Sequence, residues 1–188
     1  MTRKRRADAE ENRRHVLDTA RAAFAADGPD LPIREIARRA EVGVATVYRH
    51  FPSRRDLLAT VLDDQVRRCA DRLRAALADP DPGRALRETI VWFGEGQVRD
   101  RGLTEALRAP RFADQRRAHA KAFAELVRRA REDGSVRSRV TVEDARVALM
   151  ALASFRDLPV EVAAQAVRRL TDLLLTGVLH EETPSSRA

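Results

Sequence analysis

The most chemically loaded short stretch of this 188-residue sequence holds Thr46, Tyr48, Arg49 and His50, which bring a hydroxyl, a phenol, a guanidinium and an imidazole together with no carboxylate among them. They lie between Gly43 and Phe51, where Val44, Val47 and Phe51 recur at helical spacing. That pattern buries Val47 and Phe51 and turns Ala45, Thr46, Tyr48, Arg49 and His50 outward. Just upstream, Ile33, Ile36, Ala37 and Ala40 mark another short helix, and Glu41-Val42-Gly43 interrupts the period between the two. Two short helices across so tight a turn make a helix-turn-helix, whose second helix is free to enter a major groove of duplex DNA.

Residues elsewhere that could do chemistry lack the partners they would need. Gly94-Glu95-Gly96 begins a GxGxxG, but position 99 is Arg and no strand precedes it, so it is not a dinucleotide loop. His180-Glu181 has no second His at metal-ligand spacing, and Cys69 is the only cysteine. There is no GxSxG and no convincing acid-base pair. The sequence therefore predicts no metal, no cofactor and no enzyme.

Helices must position these groups. Hydrophobic residues make up 44% of the chain and aromatics only 4%, so the core must rest on Leu, Val and Ala. Glycine and proline are few, and no alternating strand pattern of useful length appears, so the expected fold is all-α. The formal net charge is +7, of which +4 falls in the first 60 residues. That bias agrees with a DNA partner but does not establish one, because arginine dominates throughout. A single cysteine, an amino terminus without an apolar signal core and no apolar run longer than Val147 to Ala153 lead us to expect a cytoplasmic protein that neither is exported nor spans a membrane.

The run Val42-Gly43-Val44-Ala45-Thr46-Val47-Tyr48-Arg49-His50-Phe51-Pro52-Ser53-Arg54, with a helical approach from Val16 to Ala26, closely resembles the DNA-binding domain of the tetracycline-repressor (TetR) family. The resemblance implies an amino-terminal three-helix helix-turn-helix domain followed by a helical ligand-binding and dimerisation domain. It further implies that Thr46, Tyr48 and His50 hold DNA phosphates. Each can donate to a phosphate oxygen, which sets register without reading sequence. Val44 and Ala45 match base-reading positions suited to thymine methyls. Arg34 matches a position that reaches guanine in some members, and Arg54 matches a phosphate-binding lysine. Because Val44 and Ala45 have no hydrogen-bonding groups, selectivity would rest on Arg34, Arg49 and DNA shape.

The expected divisions are a basic disordered arm at 1–9, a helix-turn-helix domain at 10–56, a helical regulatory domain at 57–181 and a disordered tail at 182–188. Two local departures from the family pattern stand out. Pro32 occupies the place of a capping Ser or Thr, so Asp30 must substitute or the helix must begin at Pro32. Glu41 stands where glycine is usual, at a cost of about 1 kcal/mol if its backbone is left-handed. Ser53 with Asp56 forms a capping-box-like start to a long helix that Asp79-Pro80-Asp81-Pro82-Gly83 stops. Further helices are expected near 84–99, 103–109, 111–132, 142–156 and 159–179.

In the family the effector cavity lies among the middle helices. Trp92, Phe93, Leu107, Phe112, Phe123 and Met150 are the larger apolar candidates to line it here, with Gln97 and His119 as polar ones. Gly94 and Gly96 each weaken a helix by about 1 kcal/mol, which suggests room left beside Trp92 for a ligand or a neighbouring helix. The closing helices carry an apolar arc wider than one packing neighbour requires. Leu149, Leu152 and Ala153, with Ala166, Val167, Leu170, Leu173 and Leu174, are the expected dimer surface. The function expected from all of this is a homodimeric repressor of a palindromic operator, released by an unidentified small molecule. The alternative on the same scaffold is a ligand-independent or protein-controlled, chromosome-associated factor.

Overall fold

The computed structural model describes residues 2–100, 103–104 and 107–179, and of residues 2–6 and 156–157 the backbone alone. The expected tail at 182–188, His180-Glu181 and residues 105–106 of the expected helix at 103–109 lie outside the described residues; 103–104 are helical, whereas 107–109 form a turn rather than the expected end of that helix. Helices α1 (Thr2–Asp27), α2 (Ile33–Arg39), α3 (Val44–His50), α4 (Arg54–Ala78), α5 (Pro82–Arg99), α6 (Ala113–Glu132), α7 (Val142–Ala153) and α8 (Val160–Val178) follow in order. Short 3-10 turns occupy Pro110–Phe112 and Ser154–Asp157. Among the described residues the only β pairing is an isolated antiparallel bridge between Val136 and Leu179. No described helix is long and apolar enough to cross a membrane.

The chain divides into two compact units. The first comprises the residues up to Arg68 with Arg99–Phe112, and the second Cys69–Val98 with Ala113 onward. The division thus falls within α4, twelve residues beyond the expected boundary at 56, and the first unit also takes in 99–112. A helix that serves two cores has no break in its hydrophobic period, so periodicity does not mark the change of neighbour.

In the first unit α1 packs on α2 and α3 around Val16, Ala20, Phe24, Ile36, Val47, Phe51, Leu57 and Val61. Helix α1 begins at Thr2, so the basic residues expected to be a disordered arm continue the helix. Arg, Ala and Glu are strong helix formers, and no Gly or Pro interrupts the sequence before Gly28. Pro32 is the N-cap of α2 and supplies no side-chain bond. Asp30 does not substitute for it; instead it accepts a bond from Arg54. Glu41 has φ 53°, in the left-handed region, as its place after α2 requires. There the Glu41 amide donates to Arg38 and the Val42 amide to Ala37, at 3.2 and 3.0 Å, which closes the last turn in a Schellman motif. Ser53 accepts from the Asp56 amide at 3.1 Å and donates to the Asp56 carboxylate at 2.8 Å, which caps α4.

The second unit is built on Leu73, Leu86, Ile90, Phe123, Leu126, Val127, Leu152 and Val167. Arg129 donates to the carbonyls of Leu77 and Asp79, satisfying the open end of α4. Helix α7 starts on a full capping box, with Thr141 accepting from the Asp144 amide and the Asp144 carboxylate accepting from the Thr141 amide. Gly94 marks a close helix approach. A Cβ there would lie 3.0 Å from Thr171 Oγ1 and 3.2 Å from Val167 Cγ1, so the room left on α5 is taken by α8.

Candidate nucleic-acid interface and ligand cavity

On α3 the outward face is formed by two i, i+4 pairs, Val44 with Tyr48 and Ala45 with Arg49. Val44 is 42% and Tyr48 48% exposed, large side chains left in water because only Val47 of this helix is buried. Thr46 and His50 were expected to face outward, but they are half-buried on the flank. The seven-residue helix lies against both α1 and α2, and that contact covers an arc wider than Val47 alone. His50 Nε2 is enclosed and has no hydrogen-bond partner among the described residues.

The frame holding α3 is itself polar at its edges. The Arg13 guanidinium sits over the Phe51 ring at 5.1 Å from its centroid. His15 Nε2 lies 3.1 Å from the Ala40 carbonyl oxygen, the geometry of a hydrogen bond donated by the ring to the end of α2. Glu35 accepts two bonds from Arg38 and one from Arg39, and Arg39 also reaches Asp27 at 2.6 Å. Those arginines hold the Glu35 carboxyl well down, to about 2. Arg34 is exposed on the same helix. Arg54 donates through Nη1 to the Pro29 carbonyl and to Asp30, so in the free protein it ties the start of α4 to the α1–α2 loop.

In the second unit a cavity of about 390 Å³ opens among four helices, each contributing residues from one face. Helix α4 gives Cys69 and Leu73, and α5 gives Thr89, Trp92 and Phe93. Helix α6 gives Arg116, His119, Ala120 and Phe123, and α7 gives Arg146, Leu149 and Met150. The i, i+3, i+4 spacing within each set is what makes a single lining. Burial pushes the Cys69 thiol up to about 11 and holds His119 below its ordinary value, so at neutral pH the cavity carries a thiol and a neutral imidazole. Thr89 turns its hydroxyl back to the Ala85 carbonyl at 2.7 Å. Among the described residues no group of His, Cys, Asp and Glu could hold a metal ion.

The cavity brings together Trp92, Phe93, His119, Phe123 and Met150 of the sequence-based candidates. Phe112 and Leu107 belong instead to the first unit, where Phe112 is buried in the core and Leu107 packs against it. Gln97 is buried one turn beyond Phe93 but does not line the cavity, and its Oε1 has no partner among the described residues. Leu149, expected at a dimer surface, lines the cavity. Sequence reasoning missed Cys69, Leu73, Thr89, Arg116, Ala120 and Arg146. The signal was present in the helical spacing from Arg116 to His119 and Phe123, but arginines on a periodic face read as solvated charge.

The expected dimer surface also needs correction. Leu152 and Val167 are 0% and 3% exposed, inside the second unit's own core, and Leu170 and Leu174 pack against it. Ala153 and Ala166 are half-buried, while Leu173 remains 64% exposed. The exposed apolar side chains on α7 and α8 include Val147, Met150, Val162 and Leu173. A wide apolar arc shows that more than one neighbour is served but not which edge the subunit itself takes.

A buried three-helix frame presenting a short exposed helix beyond a tight turn, joined in one chain to a helical unit with an internal cavity, defines a helix-turn-helix transcriptional regulator. Residues 16–61 match the family model for bacterial regulatory proteins of the tetR family, and residues 81–180 match that for the C-terminal domain of SbtR-like transcriptional regulators. A TetR transcription regulatory protein from Mycobacterium vanbaalenii is 35% identical, with 93% of this chain and 99% of that one covered and a TM-score of 0.66. A TetR transcriptional regulator from Streptomyces coelicolor is 30% identical over 89% of this chain and 98% of its own, with a TM-score of 0.67. The HTH-type transcriptional repressor KstR of Mycolicibacterium smegmatis is 37% identical over 107 residues, 55% of this chain and 52% of that protein, so the chain spans about half the length of this curated relative. The chain belongs to the TetR family of bacterial transcriptional regulators, a family of DNA-binding proteins and not of enzymes.

Proposed function

We propose that this chain is a homodimeric repressor that binds a palindromic operator through α3 and is released by a small molecule held in the second-unit cavity. The observation that carries the reading is the face of α3, where Val44, Ala45, Tyr48 and Arg49 stand in solvent over a fully packed core. Tyr48 and Thr46 donate to phosphates, and Arg54 adds a cation at the start of α4. His50 joins them through its other ring nitrogen or by turning its ring, since Nε2 is enclosed. Val44 and Ala45 meet base edges, while Arg34 and Arg49 supply hydrogen-bonding selectivity.

A seven-residue reader needs a second half-site, one helical turn or a multiple away, for useful affinity. The exposed Val147, Met150, Val162 and Leu173 on two packed helices support association with a second copy of the chain. The cavity favours effector release over the ligand-independent alternative. An effector that prefers the wider separation of the two readers weakens operator binding by the coupling free energy, typically about 1 to 3 kcal/mol.

The test is fluorescence anisotropy of the protein on labelled DNA from immediately upstream of its own gene, with unrelated DNA as competitor at physiological salt. Tight, competitor-resistant binding with two subunits per site is the expected result. Weak binding to both DNAs at every length and salt tried would overturn the operator reading. Tyr48→Ala should weaken binding to all sequences by about ten- to a hundredfold, the loss of one hydrogen bond to a charged group. Arg34→Ala should instead blur discrimination at particular bases.

A further inference from the structure

Resting on the reading of the cavity as an effector site, we propose that its ligand is an uncharged molecule with a compact apolar body and one hydroxyl group, the body against Trp92, Phe93 and Phe123 and the hydroxyl on the imidazole of His119. Seven of the twelve lining residues are apolar, so polar contacts to a ligand must come from Cys69, Thr89, Arg116, His119 or Arg146. All of these but His119 are engaged or weak. Arg146 is bonded to Glu143 at 3.2 Å, and Arg116 also has a partner within the protein. Both arginines are exposed, so an anion would have to displace those partners in water, where an ion pair gains little. Thr89 is buried and gives its proton to the Ala85 carbonyl at 2.7 Å. Cys69 stays a thiol, which is only a weak donor.

His119 has no hydrogen-bond partner among the described residues, and burial alone holds its pKa below the ordinary value, so its ring is uncharged at neutral pH. A neutral imidazole carries one donor and one acceptor nitrogen, and a hydroxyl can answer either. His119 and Phe123 are i, i+4 neighbours on α6, so a group bonded to the imidazole sets the rest of its molecule one turn away against Phe123. Trp92 and Phe93 line the same space from α5. These aromatics would by themselves also suit a cation, but the lining has no Asp or Glu to balance one. A charge of either sign would thus enter apolar surroundings unmatched, at a cost that an uncharged body escapes. A cavity of about 150 Å³ holds one benzene, so the 390 Å³ here takes a body of about two to three times that bulk. Ala120 on α6 and Met150 on α7 line the cavity and are exposed, which gives such a body a way in.

Trp92 is the sole tryptophan and lines the cavity, so its emission reports occupancy in the intact protein. 1-Adamantanol, 1-adamantanecarboxylate and 1-adamantylammonium share one compact, spectroscopically silent body and are neutral, anionic and cationic. Titrated calorimetrically and by Trp92 fluorescence at pH 7.5, adamantanol should bind at least about tenfold more tightly than either charged analogue. His119→Phe, which keeps a ring in place, should weaken adamantanol about two- to tenfold, the loss of one neutral hydrogen bond. His119→Gln, which restores a donor and an acceptor, should recover that affinity. Carboxylate or ammonium binding as tightly as adamantanol would overturn the uncharged ligand. Adamantanol affinity unchanged in His119→Phe, or not recovered in His119→Gln, would overturn the role of His119. Either result leaves the cavity reading intact. Calorimetric binding that leaves Trp92 emission unchanged, or no binding by any of the three, would overturn the cavity reading itself, and this inference with it.

Discussion

The two units use their aromatic residues in opposite ways. In the first, Phe24, Phe51 and Phe112 are buried in the core, and the polar chemistry lies on the outside and flank of α3, with Arg34 on α2 and Arg54 on α4. In the second, Trp92 and Phe93 are half-buried and, with Phe123, line an unfilled interior, so the chemistry lies inside. A reader must present fixed groups to a rigid duplex, and a densely packed frame holds them still. In the second unit the helices touch along only part of their faces, which leaves a space between them.

The sharpest way to break this comparison is truncation of matched aromatics. Phe51→Ala should destabilise the first unit by about 3 to 5 kcal/mol, transfer and cavity terms together. Phe93→Ala should cost less than about half of that, because its ring already borders open space. Chemical denaturation followed by circular dichroism separates the two; equal losses would mean that the second unit is as tightly filled as the first.

Gly94 tests where the second unit is nevertheless close-packed. In Gly94→Ala the new methyl meets Thr171 and Val167, both buried, so overpacking of about 1 to 3 kcal/mol outweighs a helix-propensity gain of about 1 kcal/mol. A net loss of about 1 kcal/mol in thermal unfolding is expected, with DNA affinity at low temperature unchanged. A raised melting temperature would show that α5 and α8 are looser than their separation implies.

A smaller, opposite effect is expected in the first unit. Glu41→Gly relieves a left-handed backbone worth about 1 to 2 kcal/mol, less about 0.5 to 1 kcal/mol of extra chain entropy in the unfolded state. The gain should be about 0.5 kcal/mol or slightly more, read as a modest rise in the melting temperature.

The smallest effect sought is a pH dependence confined to the second unit. Burial lowers the folded-state value of His119 below its ordinary 6.5, so the unfolded chain binds the proton more readily. Stability from this group is complete above about pH 6.5 and is lost as pH falls through the lower folded value. Melting curves between pH 7.5 and about 5 should slope downward for the wild type, and His119→Gln should flatten them. In the first unit the strongly depressed acid is Glu35, which is salt-bridged on the surface and titrates between about 4.5 and about 2, below that window.

Most of the outward face of α3 was legible because local chemistry dictates it. Gly43, Val47 and Phe51 fix a turn and an inner stripe within one short segment, and the side chains between them have few places to go. Even there Thr46 and His50 were misplaced by the width of a groove that only the packing of α1 and α2 sets. The cavity was legible in part: Trp92, Phe93, His119, Phe123 and Met150 lie on helix faces whose period is visible. Phe112 and Leu107 share that character, yet 99–112 joins the first unit, and no local pattern records which of two cores a segment enters.

By itself, then, the sequence determined most of the helices, the cap of α4, most of the outward face of α3 and the family, since these depend on interactions within a few turns of chain. The tertiary structure alone decided which arginines face the cavity, which side of α7 and α8 is left bare and where α4 changes core. Those outcomes depend on contacts between residues far apart in the chain, and a hydrophobic period states only that a face will be covered, not by what.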